Sequence, residues 1–311
     1  MSVVATNPTH LKPRTLIIQD NLKNLSFIMP AVILFSIFYI YPFFEIFRLS
    51  LQDWNGISPD RSWVGLANFA ELMKDKVWWT SVWHASYITL IALTFQNALA
   101  FALALACDRQ IRMKKFYQVI FFLPPVLSEV VVGLIWQWIL NAGVQGGQQI
   151  GILNYWLVQS GLPGLVNNWL SNPETALTCI AVVHCWKGFG WGFIMLLAGL
   201  QTIDHQLYEA AKVDGAGAWS TFRHVTLPMM LPVISVVVIL TILGSMQVFV
   251  LIKAMVSQGL GYHTEVPVTR ILLAMQGTNR FGYACSMGVT FGIILVCLSL
   301  LSKTFGSKTK Q

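Results

Sequence analysis

The chain has 311 residues, of which 55% are hydrophobic and 11% charged, well below the roughly 25% charged fraction of ordinary soluble domains. That composition excludes a soluble globular protein, because several apolar runs of about 20 residues would each have to be buried on every side, whereas a bilayer accepts them. The formal charge of +7 does not point to a nucleic-acid partner: Lys and Arg gather beside the apolar runs, at Lys12, Arg14 and Lys23, at Arg109, Arg112, Lys114 and Lys115, and at Lys303, Lys308 and Lys310.

In chain order, residues 1–24 are polar and lack a short apolar core followed by a small-residue cleavage site, so no removable signal peptide is expected and the first helix serves as the insertion signal. Six apolar segments then follow, each able to cross a hydrocarbon layer of about 30 Å. They cover residues 25–47, 82–106, 118–140, 175–200, 227–252 and 285–301. The expected fold class is an all-α polytopic membrane protein with six transmembrane helices. Its parts are a cytoplasmic tail (1–24), a first transmembrane helix (25–47), an extracytoplasmic loop (48–81), a core of five transmembrane helices (82–303) and a second cytoplasmic tail (304–311).

Cationic loops resist translocation, so the charge clusters place both termini inside. Two loops fit the outside: 52–79 has four acids (Asp53, Asp60, Glu71, Asp75) against three bases, and 141–174 has no Lys or Arg. The loop 253–284, with three bases (Lys253, Arg270, Arg280) to one acid, is the exception. A short helix is expected at 152–159. Trp54, Trp78, Trp79 and Trp83 read as interfacial anchors. Pro30 and Pro42, Pro124 and Pro125, and Pro228 and Pro232 remove helical donors within three of the spans and predict kinks. Cys107, Cys179, Cys185, Cys285 and Cys297 contain no CxxC pair and read as small packing residues.

Between the fourth and fifth spans, within 201–226, the chain reads QTIDHQLYEAAKVDGAGAWSTFRHVT. Residues 208–213 favour helix, Asp214 to Gly217 permit a sharp turn, and Trp219, Phe222 and Val225 recur at a spacing of three on a second short helix. Small residues at Ala210, Ala211, Gly215 and Ala216 would let another protein approach the backbone closely. The whole is a plausible docking knob, a passive linker being the plainer alternative.

Glu209, Ala210, Ala211, Asp214, Gly215 and Ala216 resemble the cytoplasmic signature of permease subunits of ATP-binding-cassette importers, in the carbohydrate-uptake group related to maltose and glycerol-phosphate permeases. Tyr41-Pro42, WVGLANF from Trp63, FFLPPVLS from Phe121, IWQWILN from Ile135 and VTLPMMLP from Val225 extend the resemblance over nearly the whole chain. It implies a type I ABC importer permease fold in the bacterial plasma membrane, with 201–226 as a coupling loop seated on an ATPase partner. It also implies a second permease subunit, two ATPase subunits holding ATP and Mg, and an extracytoplasmic solute-binding protein. The chain itself shows no GxxxxGK[ST] phosphate loop, so no enzymatic activity and no cofactor of its own are expected. SQGLGYHTE from Ser257 stands where the family often has a glycine-rich TxGGP-like segment, which leaves the outer gate open.

Polar residues inside apolar spans cost free energy unless they face a cavity or a partner. Glu129 in the third span, and His184 and Lys187 in the fourth, are the substrate-path candidates, with Gln96, Asn97, Ser245 and Gln247 as neutral hydrogen-bonding groups. Aromatic faces stack on sugar rings while neighbouring polar groups bind hydroxyls, so HCWKGFGWG suits a carbohydrate. The resemblance implies a mid-membrane sugar site and points to Pro125, Glu129, His184, Trp186, Lys187, Gly188, Trp191, Ser245 and Gln247. Two other readings stand beside it: a structural Glu129–Lys187 ion pair with Gly188 and Gly192 as a packing contact, and a proton-coupled secondary carrier using Glu129 and His184. No residue set has metal-ligand spacing. Disaccharides, glycosylated polyols and glycerol phosphodiesters all fit the resemblance.

Overall fold

The computed structural model describes residue 25 and residues 27–109, 112–145, 147–149, 151–256 and 261–307. The expectations for residues 1–24, for Lys308 and Lys310, and for the start of the SQGLGYHTE segment lie outside the described residues.

Among the described residues, five helices are long and apolar enough to cross a membrane: α1 (Phe27–Ser50), then, after a β1 (Gln52–Asp53)–β2 (Ser62–Trp63) hairpin and α2 (Ala67–Lys74), α3 (Lys76–Asp108), and farther on Pro173–Leu200, Ala218–Met246 and Phe281–Ser302. Asp75 sets the start of α3 by accepting from the backbone N–H of Val77 at 2.9 Å and of Trp78 at 3.1 Å. Trp78 is not an interfacial anchor. It is fully buried, because the α3 face that carries it turns into the bundle, while Trp83 stays 68% exposed.

The third apolar segment is not one straight span. It folds into α4 (Lys114–Val126) and α5 (Glu129–Ile139), bent by 95°. Pro125 has no N–H to offer the carbonyl of Phe121, and Leu127 and Ser128 then run extended at ψ 140. The elbow rests against Gly190, where a Cβ would stand 2.4 Å from the Phe121 oxygen and 2.6 Å from Pro125 Cγ. Only a glycine lets the helices meet so closely.

The expected short helix follows as α6 (Ile152–Gln159). α7 (Pro173–Leu200) is capped by Asn172 and carries Glu174 in its first turn. After α8 (His205–Val213), the segment 218–226 does not form a separate helix. It is the first part of α9 (Ala218–Met246), carried through a π turn at Phe222–Thr226. The fifth span therefore begins nine residues early and ends at Met246, where Gln247 to Phe249 break it before α10 (Val250–Met255). α11 (Pro267–Leu272) leads to α12 (Phe281–Ser307).

α1 packs chiefly on α12 and is otherwise exposed, as Phe27 (89%), Phe38 and Phe44 show. At the end of the bundle opposite α8, the hairpin and α2 are tied to α12. Arg280 donates to both oxygens of Glu71 at 2.7 and 2.6 Å, and the Tyr283 hydroxyl donates to Asp75 at 2.8 Å. The Arg280 hydrogen bond holds the Glu71 carboxyl below its usual range. Arg270 pairs with Glu265 at 3.2 Å, so two of the three bases of the loop 253–284, Arg270 and Arg280, are already matched by carboxylates.

Candidate functional site: a cavity at the elbow and an exposed helix

A cavity of about 300 Å³ opens where the α4–α5 elbow meets α7 and α9. Its walls are two helical stripes. His184, Lys187, Gly188, Trp191, Gly192 and Met195 recur at three- and four-residue steps on α7, and Val237, Leu240, Thr241, Gly244 and Ser245 do the same on α9. Gln96 closes one side, at the end of a π turn (Ala92–Gln96) in α3, and Glu129 the other.

Glu129 is the first residue of α5, where the helix N-terminus favours a carboxylate. The elbow puts it there, because the break at Leu127 and Ser128 turns what would be a mid-span acid into a helix-start acid beside the cavity. Lys187 Nζ lies 3.8 Å from Glu129 Oε1, an ion pair beyond hydrogen-bonding distance. Lys187 is mostly buried and Glu129 is 44% exposed, so the pair guards the rim and its carboxylate keeps free acceptor capacity.

Of the expected binding residues, the structure brings Glu129, His184, Lys187, Gly188, Trp191 and Ser245 to this cavity. Pro125, Trp186 and Gln247 do not line it. Pro125 is buried against Gly190 at the elbow. Trp186 lies one helical step off the stripe and packs edge-on against Trp136, centroids 5.6 Å apart. Gln247 sits beyond the last turn of α9, exposed. Ser245 lines the wall but is itself fully buried, its hydroxyl donating to the Thr241 carbonyl at 2.6 Å and 2.9 Å from Thr89 Oγ1.

Two polar groups are left without a partner at this site. Gln96 Oε1 and Asn97 Nδ2 are buried with no hydrogen bond, each costing about 1–3 kcal/mol while unmet. Gly188 makes room for the first of them, since a Cβ there would stand 2.6 Å from Gln96 Oε1. Of the two, Gln96 alone lines the cavity, as an unmet acceptor that suits the O–H of a hydroxyl. Thr241 and Gly244 escaped sequence reasoning, although their spacing from Val237 and Ser245 on one apolar span was the available signal.

At the far end of α7 stands α8. Asp204 caps it by accepting from Gln206 N at 2.9 Å. Its other end closes as a Schellman turn: Gly215 at φ +75 donates to the Lys212 carbonyl at 3.1 Å and Ala216 to that of Ala211 at 2.8 Å. α8 buries no residue. Glu209, Ala210, Asp214 and Gly215 are exposed, and Ala211 and Ala216 half-buried. One side chain ties it to the bundle by hydrogen bonding, Tyr208, whose hydroxyl lies 3.3 Å from Thr226 Oγ1 at the base of α9.

The model of the binding-protein-dependent transport system inner membrane component matches residues 96–311, from the π turn of α3 through the cavity and α8 to the end of the chain. The chain belongs to this family. Similar proteins include the probable ABC transporter permease protein YurN of Bacillus subtilis, 30% identical over 94% of this chain and 99% of that one. The diacetylchitobiose uptake system permease protein NgcF of Streptomyces coelicolor is 28% identical over 89% of this chain and 80% of its own. In fold, the chain is similar to a bacterial ABC transporter involved in the import of the acidic polysaccharide alginate, with a TM-score of 0.81, 22% identity, and coverage of 96% of this chain and 100% of the other. As a member, the chain is a multi-pass inner-membrane transport component of the ABC permease type, rather than an enzyme, and its work depends on a binding protein.

Proposed function

We propose that this permease carries a sugar, glycoside or related polyol through the cavity between α5, α7 and α9. Its movement is driven by ATP hydrolysed, with Mg, in two partner ATPase subunits, one of which docks on α8. The observation that carries the reading is the pairing, within one chain, of a hydroxyl-suited cavity along the middle of α7 with an exposed α8 just past the end of that helix. Both termini lie in the cytoplasm, and residues 201–226 are the coupling loop. The relative named for diacetylchitobiose uptake supports the substrate class.

The cavity is open on one side, with Trp191 56% and Leu240 51% exposed, which supports a second permease subunit completing the wall. Glu129, Lys187, Gly188 and Trp191 with Gln96 and Thr241 form the binding set, and a solute-binding protein delivers to the end opposite α8. A proton carrier built on Glu129 and His184 finds no support in the family, whose members work with binding proteins. The test is uptake by cells carrying the full importer against a panel of sugars, glycosides and polyols. Glu209→Lys should abolish uptake with the permease still in the membrane, and Trp191→Ala should change affinity. Normal uptake by Glu209→Lys overturns the coupling assignment.

A further inference from the structure

α5 has a polar cavity at each end. Glu129 begins the helix at the elbow cavity; at its other end a second cavity, of about 270 Å³, is lined by Gln137, Leu140, Asn141, Asn168, Ser171 and Met255, among others, and no charged residue lines it. At 1.5 Å per residue, the eight residues from Glu129 to Gln137 put the two cavities about 12 Å apart along α5, with the two side chains about 80° apart around it. α10, packed on α5, contributes Met255 to the second cavity, with Val256 just past it, and three residues separate α10 from α9, which forms a wall of the first.

The rim of the second cavity is built. Asn154 is fully buried between the two loop segments that form it. Its amide donates to the Asn167 carbonyl at 3.0 Å, and its oxygen accepts from Trp169 Nε1 at 2.7 Å. Asn168 is fixed further by its backbone N–H on Asn167 Oδ1 at 2.7 Å and by its carbonyl, which accepts from Ser171 N at 2.9 Å. The backbone of Asn168 and Ser171, both exposed, is thereby fixed where their side chains line the cavity together with the buried, apolar Leu140 and Met255. Neutral amides and a hydroxyl beside apolar side chains match a pyranose, which offers hydroxyls at its edge and C–H groups on its face.

We propose that this cavity is an outer subsite for one glycosyl unit, from which a saccharide of two or more rings reaches along α5 to the Glu129–Lys187 cavity. The inference rests on the sugar-import reading. The distance between the sites exceeds a single pyranose, so the outer subsite acts on longer saccharides and leaves monosaccharides alone.

The experiment measures uptake of one-, two- and three-ring members of the cello-, malto- and chito-oligosaccharide series by cells carrying the complete importer. In the series that wild type imports, Asn168→Leu with Ser171→Ala should raise KM for the two- or three-ring member about three- to tenfold, the loss of one or two hydrogen bonds. KM for the one-ring member should stay unchanged, while Glu129→Gln should impair every length. An outer variant that affects all lengths equally, or none, overturns the subsite and, with Glu129→Gln still impaired, leaves the import reading standing. Failure of wild type to import any member overturns both. Should the double variant not accumulate in the membrane, Asn168→Cys decides. The three-ring sugar should slow its reaction with a charged thiosulfonate and the one-ring sugar should not; equal rates overturn the proposal.

Discussion

Replacing Gly190 by alanine tests the elbow that places Glu129. The added methyl would stand 2.4 Å from the Phe121 oxygen and 2.6 Å from Pro125 Cγ. The first is backbone and the second a closed ring, so neither can swing aside. α4 must retreat by about 1 Å to restore contact distance, an overpacking cost of about 1–3 kcal/mol. Gly192→Ala, two residues along the same helix, is the control: its methyl would meet Ala100 Cβ at 3.3 Å and Val237 Cγ1 at 3.5 Å, close to ordinary contact. Both changes gain the same helix propensity, about 1 kcal/mol, so the difference between them isolates the clash. Thermal unfolding of the detergent-solubilised protein, followed by a thiol-reactive dye on buried Cys107 and Cys185, reads that difference. Gly190→Ala should melt several degrees below Gly192→Ala and take up less solute. Equal melting of the two variants refutes the claim that close α4–α7 contact holds the elbow.

Trp191→Ala should weaken solute affinity, whereas Trp186→Ala should leave affinity near wild type and lower stability through the lost Trp136 contact; solute-dependent uptake and melting of the two separate them. Gly215→Val should abolish uptake with normal membrane insertion, because a β-branched residue at φ +75 costs about 1–2 kcal/mol and undoes the turn that ends α8; membrane fractionation beside uptake checks it. Glu71 is held below its ordinary carboxylate range by Arg280, so it stabilises the α2–α12 tie at neutral pH and that contribution disappears as acid protonates it, below about pH 4.5. Arg280→Gln should therefore flatten the acid limb of the melting curve measured from pH 3 to 7, and an unchanged limb contradicts the tie.

The six apolar segments were legible because hydrocarbon thickness sets their length, and all six carry helix in the structure. Their ends and breaks were less so. The Pro124-Pro125 pair announced a kink, but a right-angle elbow also needed Gly190 on another helix, a coincidence that one-dimensional spacing does not display. Trp78 looked like its neighbours Trp79 and Trp83, and the side of α3 that turns inward decides which of them meets water or lipid. The body and end of α8 were legible, since the helix formers of 208–213 and the turn at Gly215 lie within a few residues of each other, but its start at His205, capped by Asp204, was not read. At the cavity, His184, Lys187, Gly188 and Trp191, picked out by polarity, aromatic chemistry and the resemblance, share one stripe of α7. Trp186, picked out on the same grounds, falls off it, and Thr241 was hidden among the apolar residues of α9.

Solute uptake by membrane vesicles holding the full importer, with ATP inside and the proton gradient collapsed, tests the central claim most directly. The account predicts uptake that follows ATP hydrolysis, stops with a non-hydrolysable ATP analogue and is lost in Glu209→Lys. Uptake that persists without ATP and follows an imposed proton gradient would contradict it.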